Sequence, residues 1–312
     1  MLTPASTPTS RSRRRIGFTL VELLIVLVVF GIVSGTVIRV LVRQQRFYTS
    51  AADLMNVRTN LRELAGVIPA DLRGISSVGG DIFAMSDTAI DFRLSRGAAV
   101  ICSIGVGRLT FVVPPTSLTS KSGVTAWLST PLMGDTAFVY DEGPTSVIAD
   151  DSWQKVAVTA VPVAGVCPTT SGFTSSATEA AASLTFTVTP ALNAGVANGS
   201  LVRFYQRAKY KFYQPTAGGA WYLGYLECPG AVCGALQAVA GPFRPYSATA
   251  SQTGLQFVYR DSTGAITASK TSVARIDVTV RVQTENKINT PGRPYDYYRD
   301  SLVLSVAVRN RS

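Results

Sequence analysis

Gly17-Phe18-Thr19-Leu20-Val21-Glu22-Leu23-Leu24-Ile25-Val26 is the stretch on which the reading of this chain turns. The 17 residues up to and including that glycine are rich in Ser, Thr, Pro and Arg, and Arg13-Arg14-Arg15 stands just before it. Behind it the sequence stays almost wholly apolar from Leu23 to Val33. Phe18 to Ile38 is 21 residues, which as a helix span about 31 Å, close to the hydrocarbon thickness of a bilayer. Positive charge ahead of an apolar segment holds that side in the cytoplasm. A secretory signal would end in a small-residue cleavage site and lose its apolar core, but no Ala-x-Ala follows this one. Glu22 is the lone carboxylate of the segment. A charge at such a depth costs about 2.5–3.5 kcal/mol on insertion scales, so it needs a partner or a function.

The decapeptide closely resembles the class III signal of type IV pilins and type II secretion pseudopilins. The resemblance implies that a prepilin peptidase cuts between Gly17 and Phe18, that Phe18 becomes N-methylated, and that Glu22 is the fifth mature residue. It also implies that Glu22 pairs with the terminal amine of a neighbouring subunit and so sets register in a fibre. On this reading residues 1–17 are a discarded basic leader and 18–38 a transmembrane and assembly helix. The implied partners are other pilin or pseudopilin subunits, the prepilin peptidase, an inner-membrane assembly platform, and the lipid bilayer before assembly. The precursor is expected to cross the bacterial inner membrane once with its head exported, then to enter a fibre in the periplasm or at the cell surface.

Beyond the apolar run, Leu54, Val57, Leu61, Leu64, Ile68, Leu72 and Ile75 recur at steps of three or four. That period predicts an amphipathic continuation of the helix over 39–75, its stripe packed on the protein's own sheet. Gly66 and Pro69 predict fraying or a kink, and Gly74 a stop. From 76 to 312 the pattern shifts to strict alternation, clearest in Ile276, Val278, Val280 and Val282, and repeated in Leu184-Phe186-Val188, Leu255-Phe257-Tyr259 and Leu302-Leu304-Val306-Val308. Period two marks half-buried strands. The expected fold is α+β, a long N-terminal helix on an antiparallel β-rich head, with surface loops at 114–125 and 164–183.

The chain has no histidine, which removes the usual general base of hydrolases and the commonest nitrogen ligand of metals. There is no Walker-type loop, and Thr110 stands where Gly105-Val106-Gly107 would need its third glycine to bind a dinucleotide. No enzyme activity, cofactor or metal is expected. Cys102, Cys167, Cys228 and Cys233 are an even set in an exported head, and the expected disulfides are Cys228–Cys233, across a Pro-Gly turn, and Cys102–Cys167. Four-thiolate zinc fits this spacing poorly. Asp135, Asp141, Glu142, Asp150 and Asp151 match no EF-hand loop and read as a solvated acidic face rather than a calcium site.

The formal charge of +10 includes four leader arginines, leaving 25 basic against 19 acidic side chains after cleavage. Residues 201–312 hold 14 basic and 6 acidic side chains, whereas 76–200 hold 5 and 9. Within the basic part, Arg203, Arg207, Lys209 and Lys211 interleave with aromatics, as single-strand nucleic-acid surfaces do. An amphipathic strand has the same look, and neighbouring subunits or envelope polymers would use the same cations; nucleic acid is the less favoured partner. In the head, Tyr210-Lys211-Phe212-Tyr213, Gly254-Leu255-Gln256-Phe257-Val258-Tyr259 and Val308-Arg309-Asn310 look like PilW-like minor pilins and J-type pseudopilins. That resemblance, with a mature length of 295 and Arg39 where many major pilins carry proline, implies a minor subunit that primes assembly. A tip adhesin, a DNA-uptake receptor and a secretion pseudopilin are the alternatives.

Overall fold

The computed structural model describes residues 19–118, 123–145, 147–229, 232–288, 292 and 294–309. The chain divides into two compact units, residues 1–53 and 54–312. One helix, α1 (Leu20–Arg73), contributes to both. Strands follow in the order β1 (Ile82–Met85), β2 (Ala89–Val100), β3 (Ser103–Ile104), β4 (Thr110–Val113), β5 (Ala126–Trp127), β6 (Thr136–Asp141), β7 (Ser152–Val158) and β8 (Val163–Gly165). After a short helix, α2 (Ala177–Ala181), come β9 (Ser183–Thr189), β10 (Leu201–Tyr213), β11 (Trp221–Cys228), β12 (Gln237–Phe243), β13 (Leu255–Arg260), β14 (Arg275–Gln283) and β15 (Arg299–Ala307). The described pairings are all antiparallel, so the α+β class read from the sequence is the observed one.

In the larger unit, α1 buries Val57, Leu64, Ile68 and Leu72, four positions of the predicted stripe. Each such side chain contributes about 1.5–3 kcal/mol when fully withdrawn from water. Two polar contacts fix the helix on its sheet: Asn60 Nδ2 donates to the Gly241 carbonyl at 2.6 Å, and the Tyr210 hydroxyl donates to Asp71. Helical structure runs unbroken through Gly66 and Pro69 and stops at Gly74, so the expected fraying does not occur. Packing on both sides of the proline, by Leu64, Ile68 and Leu72, outweighs the one backbone hydrogen bond that proline cannot make.

The alternating strands behave as their period requires. Ile276, Val278, Val280 and Val282 are all fully buried, opposite Val306, Leu304, Leu302 and Asp300 of β15. The head contains two apolar cores. One, beneath α1, joins Phe92, Tyr210, Phe212, Phe243, Phe257 and the β14 valines. The second packs Phe111, Phe186 and Phe204, with ring centroids 4.7 to 6.3 Å apart. The long strands β2 and β10 serve both cores. A bulge marks the changeover: Phe204 pairs with Gly97 but Tyr205 with Ser95, leaving Arg96 as the extra residue. Gly97 has φ of 150°, and a Cβ there would lie 2.2 Å from the Ala126 carbonyl, so only glycine lets β5 approach.

Between the cores lies a polar seam. Arg96 pairs with Glu227 at 2.7 Å, and the fully buried Gln206 has no hydrogen-bond partner for either amide atom among the described residues.

The segment 164–183 is not the open surface loop that its Ser, Thr and Gly content predicts. It contains the last two residues of β8, then α2, and buries Cys167, Thr174, Glu179 and Ala180. Ser176 caps α2 by accepting from the Glu179 backbone N–H at 3.2 Å, while the Glu179 carboxylate accepts from the Ser175 N–H at 2.7 Å. The Ser176-x-x-Glu179 spacing is a capping-box signal that the composition hid. In the 114–125 stretch, residues 114–118 and 123–125 have no helix or strand, as expected of a loop.

Candidate functional site

The helix begins where the sequence chemistry allows it to. Thr19 precedes the first helical residue, and its hydroxyl accepts the Glu22 backbone N–H at 3.2 Å, satisfying one of the four donors left orphaned at a helix start. Glu22 therefore sits in the first turn, where a carboxylate also faces the positive end of the helix dipole. Gly17 and Phe18, the expected cleavage and methylation positions, lie outside the described residues.

From Leu20 to Val42 the helix presents its apolar side chains openly: Leu20 is 79 %, Leu24 54 % and Phe30 67 % exposed. Isolated apolar side chains on a surface are ordinary, but a contiguous apolar surface of this extent requires lipid or packed neighbours. Length and composition allow this helix to cross a membrane. Residues 12–38 match the family model of the prokaryotic N-terminal methylation motif. The chain thus carries a type IV pilin-like signal, with the methylation motif running into the exposed apolar half of α1. No curated protein and no solved structure matches the chain.

The four cations singled out on β10 share one face of that strand, since buried Phe204, Gln206, Ala208, Tyr210 and Phe212 alternate with them. Two of the four are occupied. Arg207 makes a bidentate pair with Asp91, at 2.8 and 2.7 Å, and lies 5.0 Å from the Phe83 ring centre; hydrogen bonding to Asp91 raises its pKa despite partial burial. The Arg203 guanidinium stacks over Trp153 at 4.4 Å. Lys209 is half-buried and Lys211 exposed. The interleaving of cations and aromatics is thus the alternation of one amphipathic strand.

The structure bonds Cys102 to Cys167 and Cys228 to Cys233, and among the described residues no cysteine is free. The acidic residues fasten loops. Asp135 accepts the Leu132 N–H at 2.9 Å, and Asp141 accepts from Gly143 N–H and from Asn193 Nδ2 at 3.1 and 2.7 Å. Asp150 takes both the N–H and the hydroxyl of Thr145, which hold its carboxyl below the usual carboxylate range. Asp151 accepts the Tyr140 hydroxyl, pushing that phenol up to about 12.

The glycine pair at 105–107 also has a structural use. Gly107 and Arg108 both adopt left-handed φ, at 73° and 58°, in the turn before β4. From there the Arg108 guanidinium donates to the carbonyls of Leu192, Asn193 and Val196, tying two loops together.

Proposed function

We propose that this chain is a minor pilin-like structural subunit, cleaved by a prepilin peptidase after Gly17 and methylated at Phe18. It inserts the apolar half of α1 into a type IV pilus or related fibre and primes assembly of that fibre. One observation carries the reading: the methylation motif at 12–38 runs directly into the N-terminal half of α1, whose apolar side chains have no cover among the described residues. Lipid supplies that cover before assembly, and the corresponding helices of neighbouring subunits supply it afterwards. Glu22, at the mouth of this surface, is the group that a neighbour's terminal amine neutralises and that sets register. The exported head is structural and not catalytic. Several of its carboxylates, among them Asp81, Asp91, Glu227 and Asp277, are already taken up in ion pairs with arginines.

The test separates processing from assembly. A Glu22→Ala chain is expected to be cut and methylated as the wild type is, yet to be lost from sheared fibres, measured by immunoblot of the fibre and membrane fractions. Wild-type incorporation of this variant overturns the role of the carboxylate. Deletion of the chain should abolish fibres; normal fibres with lost adhesion or DNA uptake would instead make it a tip receptor.

A further inference from the structure

A second concentration of positive charge lies away from the cations that the sequence singles out. Arg244, Arg281 and Arg299, together with Asp300 and Ser301, line an open cleft of about 260 Å³. Backbone pairing puts these residues side by side. β12 meets β14 at Phe243 and Val282, and β14 meets β15 with Arg281 opposite Ser301 and Gln283 opposite Arg299. The Arg244 N–H donates to the Arg281 carbonyl at 3.1 Å, and the Arg281 N–H donates to the Gly254 carbonyl at 2.6 Å. Gly254 presses so close that a Cβ would stand 2.0 Å from the Arg244 carbonyl oxygen. Among the described residues the guanidinium of Arg281 is anchored on one side, by Nη1 donating to the Thr253 carbonyl at 2.9 Å.

Neighbouring like charges on a sheet are destabilising unless something neutralises them. Elsewhere this sheet supplies the neutraliser: Asp277 lies between Arg260 and Arg275, Asp91 holds Arg207, and Asp81 holds Arg93. Here it does not. Arg299 has Asp296 at 3.5 Å, but Arg244 and Arg281 have no carboxylate within 4.0 Å among the described residues. Burial first, and the charge of Arg244 second, lower the pKa of Arg281, which places the two guanidiniums in each other's field.

We propose that this cleft binds a phosphate monoester, or the isosteric sulfate, through Arg244 and Arg281 with Arg299 at its rim. One carboxylate saturates one guanidinium, as Asp91 does Arg207. Two adjacent uncompensated guanidiniums call for an anion with three or more acceptors and up to two charges, and the arginine fork matches a tetrahedral oxyanion. The volume is several times a water's share of about 30 Å³, enough for the anionic group and the first atoms of whatever carries it.

The test uses the full chain in neutral detergent, titrated with inorganic phosphate and followed by 31P line broadening. Saturable binding is expected, and Arg244→Gln and Arg281→Gln should each weaken it about tenfold, the loss of one charge-assisted hydrogen bond. Lys211→Gln, on the other basic face, should bind as the wild type does. Vesicles of phosphatidylcholine with and without phosphatidic acid, and a single-stranded oligonucleotide, separate the sources. Preferential binding to the acid-containing vesicles, lost in both arginine variants, assigns the phosphate to a lipid headgroup. Phosphate binding without vesicle binding assigns it to a soluble phosphorylated compound. Absence of saturable phosphate binding, equal binding by both arginine variants, or variants that lose only the oligonucleotide overturn the proposal. Circular dichroism that matches the wild type keeps misfolding from mimicking the expected loss.

Discussion

Asp71, a carboxylate of α1, meets the sheet through the Tyr210 hydroxyl, and burial pushes its carboxyl above the ordinary 3.8. The Tyr210 hydrogen bond offsets only part of that, and the same burial raises the phenol. An acid raised on folding binds its proton more tightly in the native state. Its contribution to stability is therefore complete below pH 3.8 and is lost as pH rises through the folded-state value. Asp71→Asn keeps an acceptor for Tyr210 and carries no charge, so it should be more stable than the wild type at pH 7, with the gain shrinking toward pH 3.5. Urea unfolding at the two pH values measures this; a loss of the same size at both would show that the charge is not the issue. Tyr210→Phe instead strips a half-buried carboxylate of its donor and should cost about 1–3 kcal/mol at pH 7. None of this was visible in the sequence. Position 71 reads there as one polar step of an amphipathic helix, and nothing local shows which tyrosine lies across from it.

At the scale of elements, what period and composition report was legible, and what a single long-range contact decides was not. The stripe from Val57 to Leu72 and the alternation from Ile276 to Val282 appear as read, because 3.6- and 2-residue periods are direct images of a buried face. The segment 164–183 was misread because its Ser, Thr and Gly say nothing of the buried Cys167. The disulfide to Cys102 closes a loop of 65 residues, whereas Cys228–Cys233 spans 5. Chain entropy makes the long closure worth more, about 2–4 kcal/mol for a typical disulfide. Replacing Cys102 and Cys167 by alanine should lower the urea midpoint well beyond the change from replacing Cys228 and Cys233. Limited proteolysis should then cut within 164–183. Equal midpoints for the two double variants would show that the long closure has no special weight.

For the molecule as a whole, the division at residue 54 separates a surface that needs other molecules from one that is self-sufficient. The membrane-capable half of α1 was legible because lipid imposes length and composition on a contiguous segment. The second core and the seam between the two cores were not, since Gln206 occupies an inward position of an otherwise ordinary alternating strand. With neither amide atom partnered among the described residues, Gln206→Met should raise the thermal midpoint, by the equivalent of about 1–3 kcal/mol. A lower midpoint would show that the amide is satisfied in solution. The way α1 is fastened has a mechanical consequence. Tension drawn along the helix axis toward its N-terminal end loads Val57, Leu64, Ile68, Leu72, the Asn60–Gly241 contact and the Asp71–Tyr210 contact together, in shear. Contacts loaded side by side must yield nearly at once, whereas contacts peeled from one end yield in turn. This attachment therefore resists a lengthwise pull far better than a sideways one.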